Sequence, residues 1–173
     1  MQVNALKNDG PLYRCVVGTT ARIQPFVTVA AINRGDFVIN SSGSIDQACA
    51  LPGSASTDTP SGGATTTIGR ALHAAAIGDT VQVAMHDDNV EWFLRIYNDT
   101  ASAAEQADIT VGTAYQFTRY RGVGATSADA FYCLFTTTTN GELRVTEKSP
   151  ESASGDDYGW VYAKAVSAYR FIP

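Results

Sequence analysis

The feature that most constrains this chain is an alternation of apolar and polar residues with a period of two. Residues 80–86 place Val81, Val83 and Met85 on one face, and residues 92–97 repeat the alternation with larger side chains. Successive side chains of a β-strand point to opposite faces of a sheet. The pattern therefore predicts two half-buried strands.

Other segments rich in β-branched and aromatic residues predict further strands, at 26–31, 36–40, 68–72, 160–165 and 168–172. Helix signals are confined to residues 102–105, which have capping-box spacing, and to residues 44–51, and each predicts only a short turn. Many short strands separated by turn signals are typical of all-β proteins. The sequence therefore predicts an all-β fold, either a small barrel or a sandwich.

The clearest local signal is that of a β-hairpin. An aromatic and β-branched run at 131–139 is followed by Asn-Gly at 140–141 and by a second run at 142–148. Asn-Gly supplies the positive φ angles of a type I′ turn, whose twist matches that of two paired strands. We therefore expect a projecting hairpin, with its aromatic base in the core and with Thr138 and Thr139 at its tip.

The length of 173 residues indicates one domain. Residues 1–20 carry isolated apolar side chains without a period, so we expect an N-terminal arm followed by a single β domain at 21–173. Residues 53–67 are rich in Gly, Ser, Thr and Pro and predict a long flexible loop within that domain. A second polar loop is expected at 149–157.

Composition and charge exclude several classes of function. The chain has 12 Lys and Arg against 17 Asp and Glu, a net charge of −5, which disfavours nucleic-acid binding through phosphate contacts. No apolar run approaches the roughly 20 residues of a membrane span, and no hydrophobic region of a signal peptide follows Met1. The three cysteines are odd in number and lack a CxxC spacing, so we expect folding in a reducing cytoplasm.

Motifs of catalysis and cofactor binding are absent from the sequence. It contains no nucleophile elbow, no glycine-rich phosphate loop and no HExxH pattern. The dense polar cluster His86, Asp87 and Asp88 follows a predicted strand, where a metal or acid–base site is conceivable, but Asp is also a common turn residue. We favour the turn and predict no enzyme activity, no catalytic residue, no metal and no cofactor.

Candidate partner-binding residues come from three segments. The Arg-Tyr-Arg cluster at 119–121 has the residue types that anchor protein interfaces, although it is also compatible with a solvated strand end. The N-terminal arm and the hairpin tip complete the set, which is Val3, Leu6, Leu12, Arg119, Tyr120, Arg121, Thr138 and Thr139. The aromatic residues Trp92, Trp160, Tyr158 and Tyr162 are compatible either with a sugar-binding platform or with the core and rim of a barrel.

Residues 69–83 read G-R-A-L-H-A-A-A-I-G-D-T-V-Q-V and form a recognisable pattern. A short strand enters, three alanines allow close packing of the chain, Gly78-Asp79 makes a turn, and an alternating strand leaves. The pattern G-x-A-L-x-x-A-A-x-G-D-x-V-x-V resembles a segment of the head decoration (cement) proteins and related small capsid proteins of tailed bacteriophages. A looser likeness continues at 111–115 and 141–145.

The resemblance implies a structural function. Proteins of this kind are β-rich, often trimeric, and lie on the outside of a capsid lattice, where they clamp neighbouring capsomers. We therefore expect this chain to bind a major capsid protein and itself, as a homotrimer, at the virion surface after synthesis in the host cytoplasm. The shared pattern is structural, so it carries over no catalytic residue.

A second class of function stays open at this point. The aromatic residues and acidic loops would also suit a carbohydrate- or receptor-binding β module of a phage fibre or tail tip. Saturable binding to emptied capsids would favour the cement hypothesis, whereas binding of the isolated chain to glycans would favour the alternative.

Overall fold

Nearly all the regular structure of this chain is β-structure in the computed structural model. The structure describes residues 12–48, 56–58, 67–97, 106–121, 131–135, 138, 141–150 and 159–166. Among these residues the one helical segment is a single 3-10 turn, Gln106–Asp108. The all-β fold predicted from the period of two is therefore confirmed. No helix in the described ranges is long and apolar enough to cross a membrane.

Thirteen strands lie within the described residues. In chain order they are β1 Tyr13–Cys15, β2 Ile23–Val27, β3 Phe37–Ser41, β4 Ser44–Gln47, β5 Ser56–Asp58, β6 Thr67–Ala71, β7 Thr80–Met85, β8 Val90–Tyr97, β9 Ala114–Tyr115, β10 Phe117–Arg121, β11 Phe131–Phe135, β12 Leu143–Lys148 and β13 Trp160–Ala165. They form an eight-stranded sheet and a five-stranded sheet.

The larger sheet is organised around the long strand β8. Its strand order is β5-β10-β11-β8-β13-β12-β9. Two strands share one edge of β8. Strand β1 pairs antiparallel with the first half of β8, and β11 pairs parallel with its last residues. Strand β13 pairs antiparallel with the other edge of β8. Residues 13–15 of the predicted N-terminal arm are thus part of the sheet, and residues 1–11 lie outside the described residues.

The smaller sheet, in the order β2-β7-β6-β3-β4, curls until its two outer strands meet. A parallel bridge joins Thr28, just after β2, to Ile45 of β4, and the amide of Val29 donates to the carbonyl of Ile45 at 2.9 Å. The five strands therefore enclose a small barrel, and this name is used for them below. Its interior is filled by buried aliphatic residues, namely Ile32, Val38, Ile45, Ile68, Ala71, Val81, Val83 and Met85.

A second core lies between the barrel and the larger sheet. Val81, Val83 and Met85 of β7 point into the barrel, as the alternation predicted, whereas Ala84 points out of it and packs with Phe37 against the larger sheet. The larger sheet contributes to this core mainly the inward-facing residues of β8, β12 and β13, among them Trp92, Leu94, Ile96, Leu143, Val145, Val161 and Ala163. Because β7 is buried on both faces along its second half, it connects the two cores.

The segment 69–83 forms the β6–β7 unit of the barrel. Gly69 has no room for a side chain, since a Cβ there would collide with the carbonyl oxygen of Ala84, and Gly78 turns the chain with φ +86°. Of the three central alanines, only Ala75 packs against the barrel core, and Ala74 and Ala76 are exposed. The close packing that we expected of all three alanines is therefore found only at Ala75.

The predicted hairpin between 131–139 and 142–148 is wrong. Strand β11 lies between β10 and β8, and β12 lies between β13 and β9, so neither strand has an edge left for the other. Gly141 does not have a positive φ; a Cβ there would lie 2.5 Å from the carbonyl oxygen of Ala114. The glycine therefore serves the close approach of two chain segments. Thr138 is exposed, and Thr139 and Asn140 lie outside the described residues.

Three further expectations from local composition need correction. Residues 44–47 form strand β4, and the chain reaches it through a tight turn with φ 52° at Ser42 and 89° at Gly43. Within the predicted flexible loop at 53–67, Ser56–Asp58 pairs with β10 and Thr67 begins β6. The strand predicted at 26–31 ends at Val27, and the segments 102–105, 151–157 and 168–172 lie outside the described residues.

Candidate functional site

Polar and charged side chains are concentrated in two places, one between the two layers and one on the outer face of the larger sheet. The inner group begins with Arg70 of β6, whose side chain is fully buried. Its Nε donates to the carbonyl of Gly35 at 2.9 Å, and its Nη1 donates to the carbonyls of Leu12 and Phe93 at 3.3 and 3.2 Å. Arg70 therefore ties the barrel to β8 and to the segment preceding β1.

A second arginine crosses the same interface in the opposite direction. Arg119 of β10 is fully buried, donates to the side-chain oxygen of Gln47 at 2.5 Å, and approaches the carboxylate of Asp36 at 3.5 Å. The backbone N–H of Asn33 donates to the same carboxylate at 2.9 Å. Burial raises the pKa of Asp36 to about 6, although Arg119, the amide of Asn33 and Arg70 oppose the shift.

His86 lies near Arg70 in a geometry that fixes the protonation state of its ring. The indole N–H of Trp92 can only donate, and it lies 2.9 Å from Nδ1 of His86, so Nδ1 carries no proton. Nε2 therefore carries the proton and donates to Oγ1 of Thr67 at 2.8 Å. Burial, together with the nearby charge of Arg70, lowers the pKa of His86 to about 3. The ring is neutral at physiological pH.

The side chains of the polar cluster at 86–88 do not converge. His86 points into the interior. The carboxylate of Asp87 accepts from the backbone N–H of Asn89 at 2.8 Å and stabilises the turn before β8. No group of three or more His, Cys, Asp or Glu residues that could hold a metal occurs within the described residues. The solvated turn that we favoured is found at Asp87 and Asp88, but His86 is a buried core residue.

The outer group is a stack of aromatic rings and guanidinium groups across β1, β8 and β13. Phe93 stacks on Trp160 with ring centroids 4.3 Å apart and an interplanar angle of 4°, and it contacts Tyr162 at 4.9 Å. The guanidinium of Arg95 lies 4.1 Å from the Trp160 ring, and that of Arg14 lies 3.6 Å from the Tyr162 ring. We call these five residues the aromatic ladder.

Ion pairs surround the aromatic ladder. Arg14 donates to Glu91 at 2.5 Å and also to Glu147, and Lys164 lies 3.8 Å from Glu91. Trp160 and Tyr162 are half-buried, so ring edges and charged groups together form the solvent-facing surface. The positive edges of aromatic rings and the cationic groups both favour anionic groups. This face is the described surface best suited to binding another molecule.

The predicted partner-binding residues are not brought together. Leu12 and Arg119 are buried within the chain, so the surface position that we expected for them is wrong. Arg119 faces inward because Asp36 and Gln47 of the barrel supply its hydrogen-bond acceptors. Thr138 is exposed. Val3, Leu6, Thr139 and the side chains of Tyr120 and Arg121 lie outside what the structure describes, and their interface role stays a prediction.

Several residues of the two groups were missed at the sequence level. Arg70 stands in an otherwise small and apolar strand, T-I-G-R-A, which is a signal for a buried arginine. The aromatic ladder has a signal too, because Phe93 and Arg95, like Trp160 and Tyr162, stand two residues apart and so share a face. Trp92 belongs to the core, and Trp160 and Tyr162 lie on the outer face of the larger sheet.

Glu142 is a third feature that the sequence did not indicate. The residue is buried just before β12, and its Oε2 has no hydrogen-bond partner. Burial raises the pKa of this carboxyl group to about 7. A buried carboxyl group in such a place is half protonated near neutral pH, which makes it a source of pH-dependent stability.

Comparisons with known proteins add no identification. No model of a known protein family matches the chain, and no curated protein matches it either. The function must therefore be argued from the sequence pattern and from the geometry described above.

Proposed function

We propose that this chain is a structural protein of a tailed bacteriophage, which binds the outside of the assembled capsid as a homotrimer and stabilises the shell. The observation that carries the proposal is the segment 69–83, the part that resembles decoration proteins. It forms the β6–β7 unit at the centre of the barrel, and Gly69 and Gly78 occupy positions that require glycine. The pattern thus has a structural basis in this chain.

The placement of the charged side chains supports a binding function more than a chemical one. Arg70, Arg119 and His86 are each at most 1% exposed, so these groups stabilise the contact between the layers and have no access to a solute. Arg14 and Lys164 form ion pairs with Glu91 on the outer face of the larger sheet. A two-layer β-structure held together by buried hydrogen bonds can present this outer face to a regular protein lattice.

The carbohydrate-binding alternative has one specific observation in its favour, the half-exposed Trp160 and Tyr162. Sugars usually stack on the open faces of aromatic rings. Here one face of Trp160 is covered by Phe93, and the guanidinium groups of Arg95 and Arg14 lie over Trp160 and Tyr162. A sugar would have to displace these contacts, so we favour the capsid protein.

Stabilisation of a shell would follow from mass action. A protein that binds only the expanded, assembled lattice stabilises that state by RT ln(1 + [L]/Kd) for each site. At a free concentration of 100 Kd the gain is about 2.7 kcal/mol for each site. Several copies around one symmetry axis add avidity to this gain. No bond is made or broken, so the chain needs no catalytic group.

The test is binding to emptied, expanded shells of the virus that encodes the chain. We expect saturable binding with a fixed number of copies for each capsomer, together with a higher temperature of shell disruption. A matched mixture with unexpanded shells is the control and should bind less. Absence of binding to expanded shells, combined with binding of the isolated chain to a defined glycan on an array, would replace this proposal with the carbohydrate-binding alternative.

A further inference from the structure

Charge is distributed unevenly between the outer face of the larger sheet and the rest of the chain. Among the described side chains, that face carries the cationic residues Arg14, Arg95, Arg144 and Lys164 and the carboxylates Glu91 and Glu147. The other described side chains comprise five cationic and seven anionic residues, a net charge of −2. The described part of this outer face therefore carries a net charge of +2, although the chain as a whole is acidic, and it is called the cationic face below.

One pair on the cationic face is unfavourable in the isolated chain. Arg144 of β12 lies directly opposite Lys164 of β13 in the register of the two strands. Both side chains point outward, because Leu143, Val145, Ala163 and Ala165 point into the core. Like charges directly opposite each other destabilise a sheet. An anionic group placed against Arg144 would offset this repulsion.

A surface of complementary character lies on the barrel. Val27, Val29 and Ile77 are exposed, and Ile77 is 70% exposed. They are neighbours because Thr28 donates to the carbonyl of Asp79 at 3.0 Å and accepts from the amide of Gly78 at 2.9 Å. Asp79 is exposed beside them. We call Val27, Val29, Ile77 and Asp79 the barrel patch; it combines apolar side chains with a carboxylate.

We propose that the cationic face of one copy of the chain binds the barrel patch of a second copy, in a head-to-tail contact. A two-fold contact of the cationic face with itself would bring together two surfaces of net positive charge, so it is less favourable than contact with a surface that carries an unpaired carboxylate. The aromatic ladder gives the apolar side chains of the barrel patch a surface to pack on, and Asp79 supplies an anion for Arg144 and Lys164. Head-to-tail contacts between identical chains close into rings when the rotation permits.

The inference deepens the proposed function, because it names the surfaces by which copies would meet, but it requires no shell. The test therefore uses the purified full chain and two variants, Arg144→Glu and Ile77→Lys. Arg144→Glu replaces a repulsive cross-strand pair by an attractive one, so the fold should be retained while the cationic face is weakened. Ile77→Lys places a cation in the barrel patch at a position that is largely exposed.

Sedimentation velocity should show a wild-type mass that rises with concentration and falls with added salt. Each variant alone should associate at least about tenfold more weakly. In a 1:1 mixture, each variant still offers the surface that the other lacks, so a species of two chains should form and grow no further. Lys148→Glu, on the same strand but beside the inward-facing Val161, and Val111→Lys, at another exposed apolar position, are the matched controls.

The outcomes separate this inference from the proposed function. A wild-type chain that stays monomeric up to about millimolar concentration, or a mixture of the two variants that stays monomeric when the wild type associates, would overturn the head-to-tail contact. Binding to expanded shells can still succeed in either case. Conversely, a wild-type chain that associates as described but ignores expanded shells would overturn the proposed function alone.

Discussion

Arginines lie against aromatic rings in two regions of this molecule, with opposite consequences. Between the layers, Arg70 lies 4.9 Å from the Phe37 ring and 6.0 Å from the Trp92 ring and is fully buried. On the outer face, Arg14 lies 3.6 Å from the Tyr162 ring with its side chain 39% exposed. The residue types are the same, so the difference between the regions is access to water.

Water decides what each group can do. A buried guanidinium has lost its hydration and must obtain its hydrogen bonds from the protein, so Arg70 binds three carbonyl groups from two layers. An exposed guanidinium keeps part of its hydration, and its ion pairs are weak. The inner arginines therefore fix the arrangement of the barrel on the larger sheet, whereas the outer ones can exchange their contacts for those of a partner.

The largest expected effect tests the inner region. Arg119→Met should lower the free energy of unfolding by about 3–5 kcal/mol at pH 8, because it leaves the buried Asp36 without its arginine. Chemical denaturation of the variant and the wild type measures the loss. The loss should be smaller at pH 5, below the pKa of about 6, where Asp36 is protonated in the folded chain.

Two controls sharpen this first test. Arg144→Met, the same substitution at an exposed position, should change the free energy of unfolding by less than about 1 kcal/mol. The double variant Arg119→Met with Asp36→Asn should recover part of the loss, because neither charge of the buried pair Arg119–Asp36 remains. If Arg119→Met and Arg144→Met cost the same, the contrast between the two regions does not hold.

The next effect in size concerns the neutral His86. Its pKa is about 3 in the folded chain and about 6.5 when unfolded, so the unfolded chain binds the proton first as the pH falls. Stability should therefore be lost below pH 6.5, by about 2 kcal/mol at pH 5 relative to pH 7. His86→Asn keeps an acceptor for Trp92 but does not titrate, and its stability should fall less between these pH values. Equal slopes for both proteins would contradict the assignment.

Glu142 should lower the stability of the protein as the pH rises, which is opposite to the effect of His86, and its effect should be smaller. Its folded pKa of about 7 lies above its ordinary value of 4.5, so its contribution to stability is present below pH 4.5 and is lost as the pH rises through 7. Glu142→Gln should therefore raise the free energy of unfolding at pH 8 by about 1–2 kcal/mol and have little effect at pH 4. Thermal unfolding at both pH values measures it, and a variant destabilised at pH 8 would refute the expectation.

The period of two was sufficient to predict the all-β fold and the inward face of β7, because burial of one sheet face leaves a direct trace in the sequence. No comparable sequence signal exists for the pairing of the strands. The Asn-Gly signal at 140–141 was strong, yet β11 and β12 pair with other strands. Long-range packing decides which strand edges pair. A local turn signal carries no information about the other strands that compete for the same edges.

The two polar regions were hard to predict for a related reason. The cluster at 119–121 looks like an exposed strand end, and only the fold brings Asp36 and Gln47, more than 70 residues away, to Arg119. The aromatic ladder was easier to predict, since four of its five members stand two residues apart on β8 and β13. What the sequence could not supply was the register that places Tyr162 opposite Phe93 and Trp160 opposite Arg95.

The smallest expected effect concerns the outer region, and it tests directly whether the exposed arginines differ from the buried ones. Arg14→Met should lower the free energy of unfolding by about 1 kcal/mol or less, because its pairs with Glu91 and Glu147 are screened by water and its contact with Tyr162 is partly exposed. Added salt should shrink the difference further, whereas the loss from Arg119→Met should hardly respond to salt, because its site is buried. Denaturation at about 0.05 and 0.5 M NaCl measures both. A salt-independent loss of several kcal/mol for Arg14→Met would mean that the outer face is as much a part of the fold as the inner one, and that it cannot exchange its contacts for a partner's.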